Sequence, residues 1–460
     1  MVLGFFKSHV DNKYPTTPLK FTGKDSGEAT LEDIISHKVP ELYKGASFWY
    51  NPLLPSGDFQ TAYTGLSKFE SVDKVCYKRR ILNIELEDKT YEVEGEKLKY
   101  DDWEGRSTIA IDYVVPPGRE DPNHEKYRPV SQTKHLPPRT EYLNPEHELE
   151  LLSDDSKPLV IALHGLSGGS YESYIRAFLS KVTDKPYDFD ALVLNSRGCA
   201  NHTITSPQLF CGLWTNDLRY LINEHIRPNW PNKRIYLIGF SLGGAICANY
   251  LGQEADNTYH NIKGGAIMGC PWDFPDSCIQ LQSSLLGSHI YSPKMCNNLV
   301  DLLNEHYEGH LRSNPLVEAY KKNPENFKLG TLKAFDENFT SKLFGFNCAD
   351  EYYRHASPIQ RLLKVRVPLV IVNSIDDPII GYRTLPFSEV RLNPFTALVT
   401  TTTGGHLGWF DYKGNRWYAD PISRLFKELD DNWSFNKKSV DEKDLPFDTT
   451  KLWKYDRIIM

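Results

Sequence analysis

The sequence has no run of about 18 uncharged apolar residues, the length a helix needs to cross a bilayer. Its apolar start, Met1-Val2-Leu3-Gly4-Phe5-Phe6, stops at Lys7 and is too short for the apolar core of a secretory signal. Basic charge is not in excess: 53 Lys and Arg face 60 Asp and Glu, for a net charge of −7. That balance excludes a surface built mainly to hold phosphates and makes nucleic acid an unexpected partner. None of the eight cysteines forms a C-x-x-C pair, so a zinc ribbon or a thiol redox motif is excluded. Several cysteines sit in apolar runs, where a free thiol behaves as a small hydrophobe. Glycosylation triplets occur at Asn201, Asn338 and Asn432, but without a secretory signal they carry little weight. Repeats and low-complexity tracts are absent, and no phosphate-binding glycine motif ends a strand. The expectation is a cytoplasmic protein in a reducing compartment, attached at most to the surface of a lipid droplet or an organelle membrane.

What is present is a rhythm of short apolar runs. Apolar residues make up 40% of the 460, which supports one enlarged domain with insertions as well as two or three domains. Val75 to Ile84 and Thr108 to Val115 read as two antiparallel strands. Leu159 to Leu163, Ala191 to Leu194, Ile235 to Ile238, Ala266 to Met268, Leu369 to Val372 and Ala397 to Thr400 follow. Brief continuous runs of this kind are buried on both faces, as in a parallel sheet covered by helices. Helical segments fall between them at Tyr171 to Lys181, Leu213 to Ile226 and Leu242 to Gly252, so the fold class is α/β. Earlier in the chain, Thr30 to His37 carries the cap signals of a short helix, and the tract from Gly118 to Asn144 reads as a surface excursion. The expected organisation is an N-terminal extension (1–70), an α/β core (71–271 and 369–430), an insertion (272–368) and a tail (431–460). The insertion lacks a core strand. Leu299, Val300, Leu302, Leu303, His306 and Tyr307 predict an amphipathic helix within it, and its length is that of a functional lid.

The run Ile235 to Ile238 leads into Gly239-Phe240-Ser241-Leu242-Gly243-Gly244. G-x-S-x-G between a strand and a helix is the pattern of a nucleophile held on a strained turn, with Gly239 and Gly243 removing side chains that would collide. Acyl transfer also needs two backbone N–H groups aimed at the oxygen that gains charge. Leu242, the residue after the serine, offers one. The loop Leu163-His164-Gly165-Leu166-Ser167-Gly168-Gly169 offers the other at Leu166. His164 precedes Ser241 in the chain and reads as a loop brace, because such sites run Ser, then acid, then His. The base is therefore expected at His406, in Thr403-Gly404-Gly405-His406 after the last apolar run, in preference to His260, His289, His306, His310 and His355. The acid belongs after Leu369 to Val372, where Asp376 and Asp377 stand side by side. The register favours Asp377 and leaves Asp376 as the alternative.

Taken together, these motifs resemble the branch of the α/β hydrolases that contains the ABHD1/ABHD3-like proteins and the ethyl-ester synthase/esterase proteins of yeast (the AB hydrolase 4 family). The matching pieces are Asn51 to Tyr63, His164 to Gly169, Asn195 to Cys199, Gly239 to Gly244, Pro271 to Asp273, Tyr352 to Ser357, Asn373 to Pro378 and Gly404 to Trp409. Trp214 to Tyr220 and Gly404 to Pro421 carry a finer likeness to monoacylglycerol-lipase members. The resemblance implies an α/β-hydrolase fold, a triad at Ser241, Asp377 (or Asp376) and His406, and carboxylic esters of medium to long fatty acyl chains as substrates. It implies no metal and no cofactor. Asp58 departs from the pattern, standing where relatives usually have His. Three functions stay open at this point: ester hydrolysis on monoacylglycerol-like substrates, acyl transfer from acyl-CoA to ethanol, and non-catalytic binding. An intact set of Ser241, His406 and the Asp pair weighs against the third.

Overall fold

The computed structural model describes residues 6–67, 69–84, 90–93, 96–99, 107–152 and 157–436, so most of the expected tail lies outside the described residues. The N-terminal part holds β1 (Lys7–Lys13), α1 (Leu31–Lys38), β2 (Ser47–Trp49) and α2 (Gly57–Leu66). Thr30 caps α1 in a reciprocal box: its hydroxyl accepts from the Asp33 N–H, and the Asp33 carboxylate accepts from the Thr30 N–H. The strand β1 had no visible signal in the sequence. Its buried positions are Ser8, Val10 and Asn12, so only one of three is apolar. Ser8 and Asn12 are accommodated by donating to Thr403 O and Leu42 O.

The central sheet continues with β3 (Cys76–Asn83), β4 (Thr108–Val115), β5 (Thr140–Tyr142), β6 (Leu159–Leu163), β7 (Asp190–Asn195), β8 (Ile235–Phe240), β9 (Ile262–Met268), β10 (Leu369–Ser374) and β11 (Thr396–Thr401). Its eleven strands lie in the order β2-β1-β11-β10-β9-β8-β6-β7-β4-β3-β5. The run β11 to β7 is parallel throughout, and β4 and β1 join its two edges antiparallel. This is the fold of an α/β hydrolase: a large, mostly parallel sheet flanked by helices.

Helices α3 (Ser173–Val182) and α4 (Leu242–Glu254) follow β6 and β8. The segment from Leu213 turns helical at Asn216 and widens to a π-helix over Leu221–Ile226. Successive strand residues feed opposite cores. Leu237 packs on the side of α4, whereas Ile238 packs on the side of α3 and the last helix. Between β9 and β10 the chain makes α5 (Phe274–Ser283), α6 (Ser292–Glu305), α7 (Pro315–Lys322) and α8 (Ala349–Ala356), with short turns between. Leu299, Leu302 and Leu303 of α6 join Val317, Phe335 and Phe339 in a third core that rests on Cys199, Leu209 and Phe210. The last described helix, α9 (Ala419–Asn432), lies over the α3 face.

Register places the site. Leu163 pairs with Gly239, Phe240 with Met268, Met268 with Val372, and Ser374 with Thr401. The loops after β6, β8, β10 and β11 therefore leave one edge of the sheet side by side. A crevice beyond the carboxyl ends of parallel strands is where such folds bind ligands.

Candidate active site

Ser241 stands between β8 and α4 at φ 50° and ψ −120°, a region that side chains other than glycine avoid. Its N–H donates to Met268 O on the neighbouring strand, which fixes the turn. Two glycines make the turn possible. A Cβ on Gly239 would lie 2.4 Å from Gly243 O, and one on Gly243 would lie 2.4 Å from Leu163 O. The strained backbone pushes the hydroxyl out over the sheet edge, with the positive end of α4 beneath it.

His406 Nε2 lies 2.8 Å from Ser241 Oγ, and its Nδ1 lies 2.8 Å from Asp377 Oδ2. The other carboxylate oxygen of Asp377 accepts from the N–H groups of Ile379 and Ile380, so a tight turn orients the group. Asp376 points the other way. Its Oδ1 accepts from Gly404 N at 3.0 Å, Gly405 N at 2.9 Å and Ser374 Oγ at 2.6 Å. It thus ties the histidine loop to the end of β10, while burial raises its pKa. Geometry brings Ser241, His406 and Asp377 together and gives Asp376 the loop.

The loop after β6 is braced from behind. His164 bonds Gly165 O through Nδ1 (2.7 Å) and accepts from Ser196 N through Nε2 (3.0 Å). Burial lowers its pKa to about 4, so this ring stays neutral and serves the loop. Tyr174 Oη accepts from Gly165 N. Deeper, Arg79 forks onto Asp112 with two 2.7 Å bonds, and Asp112 also accepts from Ser170 Oγ and Asn195 Nδ2. Arg197 makes a similar buried pair with Asp217. Among the described residues the N–H groups of Leu166 and Leu242 have no protein acceptor, as an oxyanion site requires.

One contributor carried no catalytic signal in the sequence. Helix α2 lies against the histidine loop. Thr61 Oγ1 donates to Gly57 O and accepts from His406 N at 2.8 Å. Gly57 packs so closely that a Cβ there would lie 1.9 Å from Asp376 O. Asp58, the departing position, faces the lid, where Tyr291 Oη donates to its carboxylate and its carbonyl.

Two cavities meet at Ser241. The first, about 120 Å³, runs under the lid between Leu166, Leu242, Leu299, Leu302, Phe335 and Phe344. Its walls are almost wholly apolar. Among the described residues the one carboxylate on them is Asp336, which accepts from Thr340 Oγ1 and Tyr353 Oη and which burial pushes up to about 6. The second cavity, about 250 Å³, opens beside α2 and is lined by Thr61, Thr64, Glu172, Tyr174, Lys294 and His406 among others. Of the two cavities, His406 lines only the second. Among the described residues no group of His, Cys, Asp and Glu has the clustering that a metal site needs.

Residues 158–411 match the model of the alpha/beta hydrolase fold family. The chain is 38% identical over 435 residues to a Saccharomyces cerevisiae protein named monoacylglycerol lipase, covering 92% of this chain and 90% of that one. It is 32% identical over 431 residues to the medium-chain fatty acid ethyl ester synthase/esterase 2 of the same yeast, covering 90% and 93%. Human phospholipase ABHD3 is 28% identical over 274 residues, covering 60% of this chain and 64% of its own.

Proposed function

The chain belongs to the alpha/beta hydrolase fold family, and from that premise we propose that it is a serine hydrolase that cleaves monoacylglycerols and related medium- to long-chain esters through an acyl-enzyme. The observation that carries this reading is the place of Ser241, bonded to His406 where two largely apolar cavities meet, the second of which also holds His406 and Glu172. The fatty acyl chain takes the cavity under the lid, where burying each methylene contributes about 0.8 kcal/mol. Ser241 Oγ attacks the carbonyl carbon while His406 Nε2 takes its proton. Asp377 stabilises the imidazolium, and the N–H groups of Leu166 and Leu242 receive the oxyanion. His406 returns the proton to the departing alcohol. Water, activated by the same imidazole, then releases the fatty acid.

The substrate class is supported by the yeast relative named for monoacylglycerol. The relative named ester synthase/esterase supports a second outcome, in which ethanol takes the place of water. How the acyl group divides between acid and ethyl ester in added ethanol measures that choice. Contact with a lipid surface is supported by exposed apolar side chains: Leu66 and Ile290 line the second cavity, and Phe59 of α2 and Leu285 after α5 are exposed as well. No helix among the described residues is long and apolar enough to cross a membrane. Peripheral contact from the cytoplasm, on lipid droplets or an organelle membrane, fits both observations. Co-flotation with phospholipid-coated triacylglycerol droplets tests it, and protein left wholly at the bottom of the gradient refutes it.

The central test is Ser241→Ala. Hydrolysis of monodecanoylglycerol is expected to fall by at least about 10³-fold with the fold intact by circular dichroism. Undiminished turnover by the folded variant refutes the assignment.

A further inference from the structure

A carboxyl group outside the triad opens onto the same space. Glu172 stands at the N-cap position of α3, yet its side chain makes no capping hydrogen bond. It leans back over the loop after β6 instead. Its Oε1 lies 3.2 Å, and its Cγ 3.0 Å, from where a Cβ on Gly168 would sit. It lines the second cavity with Ser241 and His406. Among the described residues, no group donates a hydrogen bond to its carboxylate.

The cations it feels are committed elsewhere. Arg416 donates to Leu407 O, Gly408 O and Ser173 Oγ, and Arg176 donates to Phe69 O, Val72 O and Asp73 O. Partial burial pushes the carboxyl up to about 7 against the pull of Arg416 and Arg176. Most other polar groups on the wall are also taken. Thr61 holds the histidine loop, Thr64 donates to Gln60 O, Tyr174 holds Gly165, and Tyr291 donates to Asp58. Glu172 is the acceptor left over.

The side of the site follows from the chemistry. His406 must hand its proton to the leaving oxygen, and it lines only the second of the two cavities. The alcohol half of the ester therefore occupies that cavity. We infer that Glu172 recognises this half, accepting hydrogen bonds from the free hydroxyls of a polyol leaving group such as glycerol. The inference rests on the ester-hydrolase reading and deepens it. A hydroxylated alcohol offers this half-buried carboxyl a partner that no described protein group supplies, whereas a simple alkyl alcohol covers it and offers none. Sites built around a polar group discriminate in this way against analogues that lack the matching hydroxyl.

The experiment compares three decanoate esters, of ethanol, ethylene glycol and glycerol, with the full-length protein and its Glu172→Met and Glu172→Gln variants. In the parent protein kcat/KM is expected to rise with hydroxyl count. Glu172→Met is expected to lower the glycerol-to-ethyl ratio about tenfold. Glu172→Gln, which still accepts a hydrogen bond, is expected to keep more than half of it. Should the methionine variant not fold, Glu172→Ala supplies the same ratio. An equal fall on all three esters, or an unchanged ratio, overturns the inference and leaves Glu172 as loop support. A parent protein that cleaves the ethyl ester and refuses the glycerol ester overturns it as well, with the Ser241 chemistry untouched. A parent protein that cleaves none of the three refutes the ester-hydrolase reading itself.

Discussion

The strand ends and the cover above them serve Ser241 by different means. At the strand ends, position is held by backbone: the elbow by the Gly239 and Gly243 contacts, the histidine loop by N–H bonds to Asp376, the acid by the turn to Ile380. In the lid, position is held by apolar packing, and what reaches the site is shape. The first kind of construction tolerates little displacement, because a proton must travel along bonds of 2.8 Å. The second tolerates exchange of one apolar side chain for another at modest cost. Changes at the strand ends are therefore expected to slow every ester alike, and changes in the lid to redistribute activity among esters.

The largest effect sharpens the strand-end side. Asp377→Asn is expected to lower kcat about 10⁴-fold on all esters, because the amide no longer stabilises the imidazolium. Asp376→Asn is expected to stay within about tenfold of the parent, since an amide oxygen still accepts from the Gly404 and Gly405 N–H groups. Steady-state kinetics on one soluble ester measures both, and the reverse ranking moves the acid to Asp376. An intermediate effect sharpens the lid side. Leu299 of α6 is 6% exposed and lines the first cavity. Leu299→Phe is expected to lower the ratio of decanoate to butyrate turnover about tenfold, through a shortened acyl channel. A uniform loss across chain lengths contradicts a shape role.

The same contrast governs what could be read from the sequence. Strands β6 to β11 were legible because each is a short apolar run that ends where a loop begins. The G-x-S-x-G spacing was legible because only glycine fits where Gly243 O and Leu163 O approach within 2.4 Å of a Cβ. The two aspartates could only be ranked, since they precede the same proline and differ in the direction that the turn gives each side chain. The lid was visible as a stretch without strands, but its cavity depends on how Phe335, Phe344 and Leu299 pack together, which no spacing encodes. Two other features escaped altogether. Strand β1 hides its period behind Ser8 and Asn12. Glu172 reads as an ordinary residue in the first turn of the helix expected from Tyr171, whereas the helix starts at Ser173 and leaves it at the N-cap.

Thr61 breaks the contrast, and it carries the smallest of these effects. It belongs to the cover, on α2, yet it acts by a hydrogen bond to the His406 N–H, in the manner of the strand ends. Thr61→Val keeps the shape of the side chain and removes the acceptor. The N–H is part-buried, so leaving it unpaired costs about 1–3 kcal/mol. Some of that cost falls on folding and some on the alignment of the imidazole with Ser241. The expected outcome is a fall in kcat of a few-fold, equal for butyrate and decanoate and for ethyl and glycerol esters, with a small drop in Tm. A change in the chain-length or alcohol profile instead places α2 with the lid, as a wall of the second cavity. A uniform fall places it with the strand ends, and the division then follows the type of bond made to the site rather than the part of the chain that makes it.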